Sequence, residues 1–240
     1  MDYSPILALA TAAFEIVVVV WAFRGPGERP VIRTTTAVLG LLACYQIVEV
    51  AVCSNVSSAG FFPRLAFIVV TWLPPLGLLL IAQLHRPRSR ALYGSAYAML
   101  AAAAAIVAWI ALDRTFALAS VCNAVYARYL HAMPRFLFYS WFYWIGLFGM
   151  TVLSGYGAAV CTDGHRRRLL FHVFAGTVGF VAPSVLVSYY VPPARGALPS
   201  IMCHFALILA VFLARMVLLE QRAASKSEDP AVRRHVPSGA

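Results

Sequence analysis

Two carboxylates fall inside long apolar runs of this chain: Glu15, near the middle of the first, and Glu49, toward the end of the second. An ionised carboxylate at mid-membrane costs roughly 2.5 to 3.5 kcal/mol on insertion scales, so such a residue is protonated, hydrogen-bonded between helices, or used. Gln46 lies one turn before Glu49 and Cys53 one turn after it on the same helical face. His204, near the start of the last apolar run, sits at a depth comparable with Glu49. This set could bind a cationic or hydrogen-bonding ligand or pass a proton; the plainer reading is that each residue fixes helix packing. His172 lies toward the opposite end of its run, so the two histidines cannot share a metal, since zinc needs three or four ligands converging on one point. No metal or cofactor is expected. The only lysine is Lys226, near the C-terminus, which leaves no span able to hold a retinal Schiff base.

Other features bear on shape. Trp72-Leu73-Pro74-Pro75 interrupts the third run, and two successive prolines remove two backbone donors and bend a helix. Such a kink serves either as a joint beside a cavity, with Pro74 and Pro75 as the hinge, or as a static bend. Gly176, Gly179 and Pro183 share a face that would admit a close neighbour. Aromatics crowd residues 136–144 and 189–190; headgroup belts account for most of them, although an inward Tyr143 could wall a pocket. Of five cysteines, Cys53 and Cys122 fall on one side of the membrane, which allows a bridge tying the longest loop, Asp113 to Arg135, over the helix mouth. Nothing in the sequence fixes their separation. Cys44 and Cys203 read as buried small apolar residues and Cys161 as an inner-surface residue. The triplet Asn55-Val56-Ser57 matches a glycosylation sequon that carries little weight in an arginine-rich, lysine-poor chain.

The elements that must position these residues are helices in a bilayer. With 62% hydrophobic and 12% charged residues over 240 positions, the composition lies far from that of soluble domains. Seven runs, at about 5–23, 35–54, 62–84, 91–112, 137–160, 168–190 and 198–219, are each long enough to cross a hydrocarbon core of roughly 30 Å. The expected fold is all-α, a polytopic seven-helix bundle over 1–219 with a short, polar, disordered tail over 220–240. Met1-Asp2-Tyr3-Ser4 lacks the positive charge of a cleavable signal, so the first run is expected to stay as an anchor.

Charge sets the direction. Fourteen of the nineteen Lys and Arg residues lie in the first, third and fifth loops and the C-terminal end, among them Arg24, Arg88 and Arg166 to Arg168. Arg64, Arg114, Arg128, Arg135 and Arg195 fall on the other side. Basic loops stay cytoplasmic, which predicts N-terminus out and C-terminus in. The net charge of +10 is thus a topology signal, with attraction to anionic headgroups as a secondary effect and no call for nucleic acid.

The order Arg64-Leu65-Ala66-Phe67, Leu73-Pro74-Pro75-Leu76-Gly77-Leu78-Leu79-Leu80, Arg166-Arg167-Arg168 opening a span with Pro183, then Pro192-Pro193, resembles the seven-helix sensory input region of bacterial histidine kinases and diguanylate cyclases. The resemblance covers about two thirds of the chain. It implies sensing of a small or membrane-borne signal and a helix movement passed inward. That family runs on into a kinase or cyclase, whereas about twenty polar residues follow here, so output is expected through a separate signalling partner. The leading expectation is an inner-membrane sensor with an outward cavity between spans two, three, five, six and seven. Glu49 and Gln46 recognise a small-molecule or lipid-like ligand there, Trp72 and Tyr143 form walls, and His204 supplies a titratable hydrogen-bonding group. A proton- or cation-coupled transporter using Glu15 and Glu49 is the alternative, and a membrane-embedded enzyme the third. Oligomeric state is open.

Overall fold

A computed structural model describes residues 4–54, 60–85, 87–123, 127–131, 134–191 and 197–228. The sequon, Arg86, Pro192-Pro193 and residues 229–240 lie outside them. The helices are α1 (Ile6–Arg24), α2 (Arg29–Ser54), α3 (Phe61–Val70), α4 (Leu73–Leu84), α5 (Arg90–Leu112), α6 (Arg135–Val160), α7 (Gly164–Tyr190) and α8 (Leu198–Glu228). Counting α3 and α4 as one span, seven helical segments are long and apolar enough to cross a membrane, the architecture of a multi-pass membrane protein. The last helix passes the expected boundary at Leu219 and runs two further turns, because Glu220 and Gln221 are buried against other elements.

The chain is all-α, as expected, with one small addition. Within the loop from Asp113 to Arg135, β1 (Ala117–Cys122) and β2 (Ala127–His131) pair as an antiparallel hairpin, with Cys122 opposite Ala127 and Ser120 opposite Tyr129. A register shift between Ala117 and Ala119 marks a bulge. Ala127 and Tyr129 point inward while Arg128 points out, the period-two alternation of a half-buried strand.

Alternating spans put the ends of α1, α4, α6 and α8 and the starts of α2, α5 and α7 at one end of the bundle, with Arg24, Arg29, Arg90 and Arg166 to Arg168. The hairpin lies at the other end. The spans are named below by these two, the arginine end and the hairpin end. Span three is the most buried and α5 the least.

The two prolines fall in the first turn of α4, where missing N–H groups cost little. Thr71 and Trp72 between α3 and α4 keep right-handed helical dihedrals, so the break is a bend rather than a gap. It opens no space. Pro74 and Pro75 are buried, and a Cβ placed on Gly146 of α6 would collide with the Pro74 ring. The kink is filled by a neighbouring backbone that only glycine lets approach. On α7, a Cβ on Gly176 would lie 2.9 Å from Phe212 Cβ and one on Gly179 2.7 Å from Ile208 Cγ2, so those glycines set the α7–α8 contact.

Candidate functional site

The polar residues of α2 and α8 meet beneath the hairpin. Glu49 is fully buried, and its Oε1 accepts a 2.7 Å hydrogen bond from the Ser200 hydroxyl. Ser200 Oγ in turn accepts 2.9 Å from the Ala127 amide of β2. The strand amide thus donates to the serine, and the serine hydroxyl donates to the carboxyl group. One turn deeper, Gln46 Nε2 donates 2.7 Å to the carbonyl of Cys203. Cys203 is itself buried.

Glu15 lies on the buried stripe of α1 made by Ala8, Thr11, Ala12, Val18 and Ala22. Both of its carboxyl oxygens are buried without a hydrogen-bond partner among the described residues. Burying a polar group unpaired costs a few kcal/mol, so Glu15 is the position where a proton, a cation or a hydrogen-bonding guest would gain most.

The hairpin is fastened over this cluster in three ways. Cys53, at the end of α2, is disulfide-bonded to Cys122 at the end of β1, with Cα atoms 5.7 Å apart. The hydroxyls of Tyr45 and Tyr129 lie 3.1 Å apart. The third fastening is the Ala127–Ser200–Glu49 relay. Below the strands, Phe67 packs edge-on against Phe116, Tyr129, Phe136 and Tyr139 with ring centroids 5.2 to 5.9 Å apart. The space bounded by Tyr45, Ala66, Phe67 and Tyr129 does not admit a water molecule. Among the described residues, the hairpin strands thus lie over the Glu49 cluster.

The expected site residues divide. Glu49 and Gln46 come together on α8, and Tyr143 stacks on Tyr139 at 5.9 Å. His204 instead gives its Nδ1 to the Ser200 carbonyl of its own helix at 2.9 Å. Trp72 is half-buried at the α3–α4 bend. Cys203 is buried as expected, but Cys44 faces outward. The aromatics at 136–144 split by face: Phe138 and Trp141 are exposed at the bundle surface, while Tyr139 is core. Ser200, Tyr45 and Tyr129 were not singled out by sequence, because a serine or tyrosine in an apolar helix gives no sign of its partner 80 to 150 positions away.

A second polar group closes the arginine end. Arg166 Nη2 pairs with Glu28 Oε1 at 2.9 Å, and His165 Nε2 meets Glu220 Oε2 at 2.9 Å. The Glu28 amide donates 3.2 Å to Glu220 Oε1, and Gln221 Nε2 donates 3.3 Å to the Ala22 carbonyl. Asp163 caps α7 by accepting from the His165 and Arg166 amides at 2.9 and 3.3 Å. Three parts of the chain, the α1–α2 turn, the start of α7 and the far part of α8, are thereby joined.

Among the described residues, no three His, Cys, Asp or Glu side chains group as a metal set. No protein-family model matches the chain, and no curated protein matches it.

Proposed function

We propose that this chain is a sensor- or receptor-like protein of a bacterial inner membrane, with the hairpin end outside and the arginine end in the cytoplasm. The input site is the buried cluster of Glu15, Gln46, Glu49, Ser200 and Cys203, with Tyr143 beside it. Its ligand is a small cationic or hydrogen-bonding species, or a proton. The hairpin acts as the cover that such a ligand must displace or act through. The output is a change at the arginine end read by a separate signalling partner.

One observation carries this reading. The Ser200–Glu49 contact and the Glu220 contacts to His165 and Glu28 belong to one unbroken helix, α8, twenty residues and so about 30 Å apart. A shift of Ser200 along or about the helix axis has to be felt by Glu220, which is what a transmitting element requires. Positive charge gathered at the Glu220 end agrees with a cytoplasmic position for it.

Hydrogen–deuterium exchange in lipid nanodiscs tests the coupling. Glu49→Gln and Ser200→Ala should each speed exchange over residues 164–172 and 220–228 by about threefold, the size of a weak coupling free energy. If the change stays within α2 and the hairpin, α8 is a static strut and the sensor reading fails.

The unpartnered Glu15 favours a transporter as the second reading. Against it, the buried Leu39, Leu42, Leu209 and Leu213 lie along α2 and α8 between the two polar ends, an apolar layer that a proton path would have to cross. Proteoliposome proton flux that disappears in Glu15→Gln would establish transport instead.

A further inference from the structure

We propose that the seam between α6 and α7 at the arginine end is a binding site for one anionic phospholipid, whose phosphate is held by Arg167 and Arg168 and whose acyl chain lies along the seam. The inference does not depend on the sensor reading.

Three consecutive arginines open α7, and the fold uses them differently. Arg166 turns inward and is spent on Glu28. Arg167 and Arg168 are exposed and have no carboxylate partner among the described residues. They line a hollow of about 280 Å³ with Ala158, Phe171 and His172. His172 gives its Nδ1 to the Arg168 carbonyl at 2.7 Å, which holds the imidazole at the hollow and leaves Nε2 for another partner. Two guanidinium groups beside a hydrogen-bonding imidazole suit a phosphodiester, because planar guanidinium donors match phosphate oxygens in pairs. Basic hollows between membrane helices are where anionic headgroups bind.

The apolar half of the ligand also has a place. Farther along the same two helices, Trp144, Leu147, Phe148, Val178, Val181 and Ala182 bound a second hollow of about 150 Å³ without polar surface. On α6 the lining positions 144, 147, 148, 151 and 158 form one stripe, and on α7 so do 168, 171, 178 and 182, at three-, four- and seven-residue spacings. Phe148 and Phe171 are more than half exposed, so both hollows face the outside of the bundle, with Phe174 packed on Gly155 between them. From Arg168 to Val181 is thirteen residues, about 20 Å of helix, which matches one leaflet from headgroup to bilayer midplane. A free phosphate would use only the basic end, and a neutral lipid only the apolar one.

Thermal stability of the full-length chain in mild detergent, titrated with palmitoyl-oleoyl phosphatidylglycerol, tests this. Phosphatidylglycerol should raise the melting midpoint saturably, while phosphatidylcholine of the same chains and inorganic phosphate should not. Arg167→Gln/Arg168→Gln should weaken the apparent affinity roughly tenfold or more. Arg33→Gln/Arg90→Gln, which removes the same charge at the same end but away from the seam, should change it less than about twofold. If the double variant at the seam does not fold, Ala182→Trp, which fills the apolar hollow, gives the reading: it should weaken phosphatidylglycerol binding and leave the midpoint in phosphatidylcholine unchanged. Equal response to both lipids, equal loss in the two arginine pairs, or an Ala182→Trp variant that binds as the parent does would overturn the site. A midpoint raised as much by inorganic phosphate would show an anion site only and would also overturn it.

Discussion

The two ends of the bundle hold their helices together with different chemistry. Beneath the hairpin, the buried Glu49 carboxyl group meets a neutral hydroxyl donor, and the fastening is completed by a disulfide and a tyrosine pair. At the arginine end the groups are formal ion partners, Arg166 with Glu28, where the Glu28 side chain is 32% exposed. Depth explains the contrast. A full charge pair pays a desolvation penalty that only partial water access relieves, whereas an uncharged hydroxyl or amide can enter a dry seam if its bond is made. The lesson is that polar groups in such a bundle are graded by depth: neutral partners inside, ions near the headgroups.

The contrast can be broken at four places, taken from the largest effect to the smallest. Replacing Cys53 and Cys122 by serine should cost the most, because the bridge closes a separation of 69 residues. Loop entropy alone sets a ceiling of roughly 4 kcal/mol, reduced because the intervening spans stay inserted when the bundle opens. The measurement is the midpoint of denaturation in mixed detergent micelles, oxidised against reduced. Arg166→Gln should cost about 2 kcal/mol, since it removes the 2.9 Å ion pair with Glu28 from a nearly buried guanidinium. Its effect should shrink in high salt, as the pair is partly open to solvent.

Ser200→Ala should cost about 1 kcal/mol and show no salt dependence, because the hydroxyl bridges Ala127 to Glu49 in the dry interior. A salt-sensitive Ser200→Ala would erase the distinction between the ends. The smallest effect belongs to Asp113, at the hairpin's foot. Its bonds from the Thr115 hydroxyl and amide, helped by Arg135 at 2.8 Å, hold its carboxyl below the ordinary aspartate range. The folded value is lower than the unfolded one, so the stabilisation is complete above about pH 4 and fades as the pH falls through the folded value. Asp113→Asn should remove that acid dependence in a pH series of melting curves, melting slightly below the parent at neutral pH and converging with it in acid.

How much of this was legible in the residues depends on what each signal measures. Hydropathy found all seven spans, and 91–112 matches α5 within one residue. It started the second span six residues late because Arg29-Pro30, Arg33 and the threonines at 34 to 36 dilute the average, although proline fits a first helical turn. It could not say which side of a helix faces inward. In a bilayer apolar residues are as suited to lipid as to the core, which is why Cys44 was placed inside and lies outside, and why Tyr139 and Trp141 could not be told apart. The hairpin was missed because strands of five and six residues in an apolar chain have little contrast; the alternation at 127–129 was the available signal. Gln46 and Glu49 were readable as one face, but the donor and acceptor they use on α8 were not. His204 holds its Nδ1 on its own helix, a local bond that its place in an apolar run does not reveal.

The order in which the chain is made gives the last helix a particular burden. Ser200 follows Glu49 by 151 positions, Cys203 follows Gln46 by 157, and Gln221 follows Ala22 by 199. At about 5 to 20 residues per second, roughly 8 to 30 seconds of synthesis separate the carboxyl group from the serine that will meet it. Throughout that interval the early spans carry polar side chains whose eventual companions do not yet exist, so water or the insertion machinery must shelter them. Arrival of α8 is therefore the event that supplies Gln46 and Glu49 with their partners and brings Glu220 and Gln221 to the opposite end.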